Sequence, residues 1–160
     1  MAIVDVRIDD RLIHGQVVGF WIPQNHVNKI VVIDDAIVDD EMRKSIMKLG
    51  TPRQVKLSVL SAASAADKLS RNLDAGDNVM LLCVGPAPLL AMAKAGYAVK
   101  KITVGNMSFV ADSTQVRNNT FLRKQDIEDF KELAAYGIEM NCQITPDETP
   151  VALMPLLKGI

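Results

Sequence analysis

Cysteine, histidine, aromatic residues and net charge are all scarce in this sequence. The two cysteines, Cys83 and Cys142, stand far apart, each inside an apolar, strand-like run. They predict buried thiols in a reducing compartment. With no further ligands at short spacing, a structural zinc site is excluded. Aromatics make up 4% of the chain, so its core must be assembled from Val, Leu, Ile, Met and Ala. A net charge of -1 over 160 residues argues against a nucleic-acid partner or an anionic membrane as the main target. Asp5 and Arg7 interrupt the start, which therefore does not read as a signal peptide. The longest apolar tract, residues 79–98, is split by Gly85-Pro86-Ala87-Pro88 and charged by Lys94, so it predicts a strand, a turn and a helix instead of a membrane span. With no repeat, low-complexity tract or linker, residues 1–160 are expected to form a single domain.

What is present is a regular alternation of short apolar runs and amphipathic stretches. Strands are expected at Ile3 to Ile8, Lys29 to Asp34, Val55 to Leu60, Val79 to Val84, Lys101 to Gly105 and Ile138 to Ile144. The polar run from Gln115 to Leu122 predicts an edge strand or a hairpin arm. Helices are expected from Gly15 to about Pro23, after Asp39 or Asp40 as cap, after Ser61, after Pro86 or Pro88, and from Asp126 to Tyr136. Gly50, Gly76, Gly96 and Gly137 read as helix stops. The second helix is expected to bury Met42, Ile46, Met47 and Leu49, the third Ala62, Ala65, Ala66, Leu69 and Leu73. The pattern predicts an α/β fold: one mainly parallel central sheet of about seven strands, with an antiparallel edge and helices on both faces. Placing the first and fourth strands side by side would open a crevice between the loops at His14 and Gly85, because their crossovers leave in opposite directions. The tail from Thr149, limited by Pro150 and Pro155, can form only short helical pieces.

One loop concentrates the chemistry. RIDDRLIHGQV, residues 7–17, leaves the first strand and carries Arg7, Asp9, Asp10, Arg11 and His14, one of only two histidines. Ligands of open α/β sheets bind beyond the carboxyl ends of strands. The plain reading of His14 is a polar residue that caps local backbone; the functional one is an acid, base or nucleophile. Gly15 lets backbone approach a ligand, the following helix points amide groups at the loop, and Arg11 offers a planar fork of donors for an anion. Two unit charges about 4 Å apart gain roughly 4 kcal/mol at an effective dielectric of 20, enough to offset much of the charge on a phosphohistidine. Phosphoryl transfer asks a protein mainly for positioning and charge stabilisation. Asp9 and Asp10 cannot both face a phosphate: one is expected to pair with Arg7 or Arg11, the other to hold the imidazole. His26 reads as a surface residue. No GxxxxGK[ST], GxGxxG or GxSxG motif occurs. A receiver domain would need an aspartate at the end of the third strand, where this chain has Val59, Leu60 and Ser61.

RIDDRLIHGQV resembles the active-site loop of the IIB components of the bacterial sugar phosphotransferase system, mannose/fructose/sorbose class. VMLLCVGP (79–86), KKITVGNM (100–107), STQVRNN (113–119) and DIEDFKELAAYGIE (126–139) resemble the same family in the same order, so the likeness spans essentially the whole chain. It implies a IIB domain whose His14 takes a phosphoryl group on Nδ1 from a IIA component. That group then passes to a sugar held by the IIC and IID membrane components, which would keep the protein in the cytoplasm at the inner face of the membrane. Arg11 matches the motif arginine, and Asp9, Asp10, Gly15 and Gln16 match the rest of the loop. No metal or organic cofactor is implied. A homodimer is compatible with the resemblance, and no nucleic acid is involved. Where the mannose type has VGGM, this chain has Val104-Gly105-Asn106-Met107, which leaves mannose, fructose, sorbose and N-acetylgalactosamine open. The rival reading is a non-catalytic module of the same fold that senses a phosphate or a partner.

Overall fold

The sheet is laid down by β-branched and leucine-rich runs, and its centre is the strand most apolar on both faces. In a computed structural model that describes residues 2–72 and 75–160, seven strands pair in the order β3-β2-β4-β1-β5-β8-β9. They are β1 (Ala2–Asp9), β2 (Lys29–Ile33), β3 (Lys56–Leu60), β4 (Asn78–Cys83), β5 (Lys101–Asn106), β8 (Glu139–Cys142) and β9 (Val151–Ala152). In β4, Val79 to Cys83 are fully buried, as expected of a parallel strand with helices on both faces. All pairings are parallel except β8 with β9. The expected antiparallel edge thus exists, but the tail supplies it. The polar run takes the second form expected of it, a hairpin, with β6 (Thr114–Arg117) and β7 (Thr120–Leu122) paired outside that sheet.

The first and fourth strands are indeed neighbours. β1 connects towards β2 on one side, and β4 connects past it to β5 on the other. The end of β1 therefore lies at the point where strand order reverses. One face of the sheet is covered by α3 (Ala62–Ser70), α4 (Ala87–Lys94) and α5 (Lys124–Ala135), which bury Ala65, Leu89, Met92 and Phe130 in a continuous core. The other face carries a smaller core around Leu12, Val17, Trp21, Ile30, Val32 and Leu82. There the chain is helical from 15 to 24, as a π-helical turn (Val17–Trp21) that runs into a short α-helix, α1 (Ile22–Gln24).

Two helix expectations are corrected. α2 (Glu41–Gly50) is capped by Asp40, which accepts from the Arg43 amide, but only Met47 of its expected stripe is buried. Met42, Ile46 and Leu49 are 75%, 61% and 88% exposed. Their spacing puts them on one helical face, and the helix packs through the other face, with Met47 in the smaller core, so theirs turns outward. α3 ends at Ser70, before Gly76, which instead takes a left-handed φ of 90° in the turn that leads to β4. Leu73 lies outside the described residues.

Candidate active site

Strand alternation puts Asp5, Arg7 and Asp9 on the same side of β1, facing the smaller core. Asp9 then ends the strand and opens a turn. Its carbonyl accepts from the Leu12 amide at 2.9 Å, and its Oδ1 accepts from the Arg11 amide at 3.0 Å, the side-chain turn that aspartate favours. The turn drives Leu12 to a left-handed φ of 57°. That costs of order 1 kcal/mol, and burying the leucine side chain, worth about 2 kcal/mol, offsets it; Leu12 is buried. The chain thus doubles back, and His14 is delivered over Asp9.

The imidazole is held at both nitrogens. Nε2 lies 2.9 Å from Asp9 Oδ2, and the Gln16 amide donates to Nδ1 at 3.3 Å. An amide can only donate, so Nδ1 is the acceptor and the ring proton sits on Nε2, where the carboxylate takes it. His14 is 16% exposed, and its carbonyl accepts from the Val18 amide at 2.9 Å, so the helical segment starts directly beyond it. The Gly15 backbone has open space around it, with nothing within 4 Å of where a Cβ would stand.

Arg11 spends most of its fork on Asp9 and not on open space. Nε donates to Oδ1 at 3.0 Å and Nη2 to Oδ2 at 2.8 Å, while Nη2 also reaches Gln16 Oε1 at 2.9 Å. Hydrogen bonding to Asp9 holds the guanidinium above its ordinary pKa. Nη1 makes no hydrogen bond among the described residues. Asp9 thus performs both tasks that had been divided between the aspartates. Asp10 has different partners: it accepts from Asn106 Nδ2 at 2.8 Å, and from the Ser108 amide at 2.7 Å and Oγ at 3.1 Å. It ties the loop beyond β5 to the loop beyond β1, and none of its bonds goes to His14 or Arg11.

Beneath Asp9 lies a residue whose role sequence reasoning left open. Arg7 is 1% exposed. Its Nε donates to Asp5 Oδ2 at 3.3 Å, its Nη1 to the Gln143 carbonyl at 3.0 Å, and its guanidinium lies 3.6 Å from the centroid of the Trp21 ring. Burial pushes the Arg7 pKa down and that of Asp5 up, with their mutual attraction opposing both shifts. The available signal was an arginine and an aspartate inside an otherwise apolar strand, which calls for partners. Which partners could not be read, because Gln143 and Trp21 come from distant stretches. A cavity of about 660 Å³ opens near this pair, lined by Asp5, Trp21, Asn25, Tyr97, Lys101 and Gln143; His14 is not among its lining.

Other candidates fall away. Burial pushes the Cys142 thiol up to about 11 and raises Cys83 as well, so neither is a ready nucleophile. His26 is exposed. Among the described residues no group of three His, Cys, Asp or Glu could hold a metal ion, and no helix is long and apolar enough to cross a membrane.

Comparison with known proteins agrees with this geometry. Residues 3–159 match the family described as the sorbose subfamily IIB component of the PTS system. The chain is 31% identical to the fructose-specific EIIB component of Bacillus subtilis, across all of this chain and 98% of the relative. It is 34% identical to the mannose-specific EIIAB component of Escherichia coli K12, across all of this chain but only 50% of that protein, so it spans about half the length of this larger relative. A solved protein of the phosphoenolpyruvate-dependent phosphotransferase system superposes with a TM-score of 0.93 at 31% identity, covering 100% of this chain and 99% of the other. The IIB domain of the sorbose permease from Klebsiella pneumoniae superposes with a TM-score of 0.91 at 27% identity, over 98% and 96%. With residues 3–159 matched and a relative 31% identical along its whole length, the chain belongs to the sorbose-subfamily IIB components of the phosphotransferase system.

Proposed function

We propose that this protein is a phosphocarrier: His14 accepts a phosphoryl group on Nδ1 from the phosphohistidine of a IIA component and hands it to a sugar bound by IIC and IID membrane components. The observation that carries this reading is the pair of bonds on the imidazole, Asp9 Oδ2 at Nε2 and the Gln16 amide at Nδ1. A lone pair for attack on phosphorus is thereby kept on Nδ1. In the transfer the donor's N–P bond breaks as the Nδ1–P bond forms, and the ring proton stays on Nε2. The positive charge that develops on the ring is met by the Asp9 carboxylate. The phosphoryl oxygens then meet the Gln16 amide and the uncommitted Nη1 of Arg11, and Gly15 leaves room for them. Positioning and charge stabilisation of this kind are most of what phosphoryl transfer requires.

On this reading the protein works in the cytoplasm, at the inner membrane face through its IIC and IID partners. Its relatives carry names for mannose, fructose, sorbose and N-acetylgalactosamine; all four remain candidate cargoes, because sugar binding belongs to other chains. A sensing module would have no use for a nucleophilic tautomer. Labelled phosphoenolpyruvate, the general phosphotransferase proteins and a matching IIA should put an acid-labile label on this chain, and His14→Ala should remove it. An acid-stable label that survives the substitution would refute the proposal.

A further inference from the structure

Gly105 on β5 lies against the cation buried under the site. A Cβ there would stand 2.9 Å from Arg7 Nη1 and 3.2 Å from Asp9 Oδ2. Nη1 is the end of a side chain, but it cannot simply swing away: Asp5, Gln143 and the Trp21 ring hold the same guanidinium. The missing side chain therefore lets Arg7 and Asp9 share one space. Their charged atoms are within about 6 Å, the range over which an opposite charge favours an ionised carboxylate. Arg7 Nη2 is buried with no hydrogen-bond partner among the described residues. A polar group left bare at such cost invites a reason other than stability.

We infer that Arg7, in the gap left by Gly105, is a positioning residue that acts through Asp9 to hold the ring proton of His14 on Nε2 and leave Nδ1 open for attack. This inference rests on the phosphocarrier reading. Asp9 is the only carboxylate that contacts His14 in the described residues, so the place of its Oδ2 decides which ring nitrogen carries the proton. Arg11 draws on the carboxylate from the loop side and Arg7 from below. Of the other groups that face this cluster, Asp5 pairs with Arg7 on β1 and lies near Lys101 of β5, Thr103 and Gly105 of β5 are uncharged, the stretch just after β8 contributes the neutral Gln143, Asp10 lies near Arg11, and the helical segment contributes Gln16 and Trp21. Arg7 is thus the one buried cation on the inner side of Asp9 among the described residues. Its contacts with Trp21 and with the Gln143 carbonyl fix the guanidinium beside Asp9, and Trp21 Nε1 donates in turn to the next carbonyl, that of Ile144, at 2.9 Å.

The test compares Arg7→Met, Arg7→Lys and Gly105→Ala with the unaltered protein in two measurements: the tautomer of His14 by nitrogen-15 NMR, and the KM and kcat of label uptake from phosphorylated IIA. Arg7→Met should raise the share of the ring protonated at Nδ1 and lower kcat roughly tenfold with KM little changed. Arg7→Lys, which keeps the charge, should restore most of both. Gly105→Ala retains every charge and only forces the pair apart, so it should shift both in the same direction by less; it also serves if Arg7→Met does not fold. A tautomer ratio and a kcat that stay in place in a folded Arg7→Met or Gly105→Ala variant overturn the inference, even if thermal stability falls. Failure of the phosphocarrier reading would look different, because the unaltered protein would itself take no label on His14.

Discussion

The Asp9 carboxylate accepts four hydrogen bonds, from the Arg11 amide, from Arg11 Nε and Nη2, and from His14 Nε2. An asparagine has the same shape but only one accepting oxygen, so its amide nitrogen would have to meet either the arginine fork or the imidazole N–H. Facing the imidazole, it would donate and so select the wrong tautomer. A carboxylate-to-amide change beside a catalytic histidine costs about 10⁴-fold in a serine protease. Asp9→Asn is expected to slow label uptake by roughly 10²- to 10⁴-fold, with the ring proton appearing on Nδ1 in nitrogen-15 NMR. Of the six residues the sequence marked, Asp9, Arg11, His14, Gly15 and Gln16 assemble around the imidazole. Asp10 does not, because it lies in the turn just beyond β1, where its side chain bonds to Asn106 and Ser108.

At the scale of the element, α2 shows how far periodicity can be trusted. The i, i+4, i+7 spacing of Met42, Ile46 and Leu49 identifies a helix correctly, yet the face that packs is the one with Met47. Polar substitution of Ile46 or Leu49 should change unfolding free energy by less than about 0.5 kcal/mol, whereas Met47→Ala should cost roughly 2 kcal/mol or more; urea denaturation distinguishes them. The loop between β8 and β9 is tied in a different way. Glu148 accepts from Arg117 Nη2 at 2.7 Å and from the Ile144 amide at 2.6 Å. Partial burial pushes its pKa up, but the hydrogen bonds and the Arg117 charge outweigh that and leave it below the ordinary glutamate value. A depressed carboxylate contributes stability above its unfolded pKa and loses it as pH falls through the folded value. Glu148→Gln should therefore lower the melting temperature clearly at pH 7 and hardly at all near pH 2, where both proteins carry a neutral side chain.

Across the whole molecule, stability is centred where burial is deepest. β4 is buried along its length between β2 and β1, while the β6–β7 hairpin forms a small sheet of its own. Amides of β4 and β1 are expected to exchange with solvent only on global unfolding, and those of the hairpin orders of magnitude sooner through local opening. Hydrogen-exchange mass spectrometry would reveal any reversal of that order. The fold class was legible because a continuous apolar run such as VMLLCV (79–84) has few structural outlets: a buried parallel strand must be followed by a crossover that covers it. The edge was harder to read. Val151 and Ala152 form only a two-residue strand, too short for alternation to register, and they pair antiparallel because the chain has turned back beside β8.

The sequence by itself determined the alternation of strands and helices along the chain and the loop that bears His14, because these depend on local pattern; it allowed the first and fourth strands as neighbours without fixing the order of the sheet, which the tertiary structure set. Only the tertiary structure decided what surrounds that histidine. It assigned one aspartate to the ring and the other to the next loop, turned the α2 stripe outward, and brought Arg7, Trp21, Gly105 and Gln143 together under Asp9. Those four lie on two strands, a helical turn and the stretch just after β8, so their contacts are set by how the elements pack, which no stretch of neighbouring residues encodes.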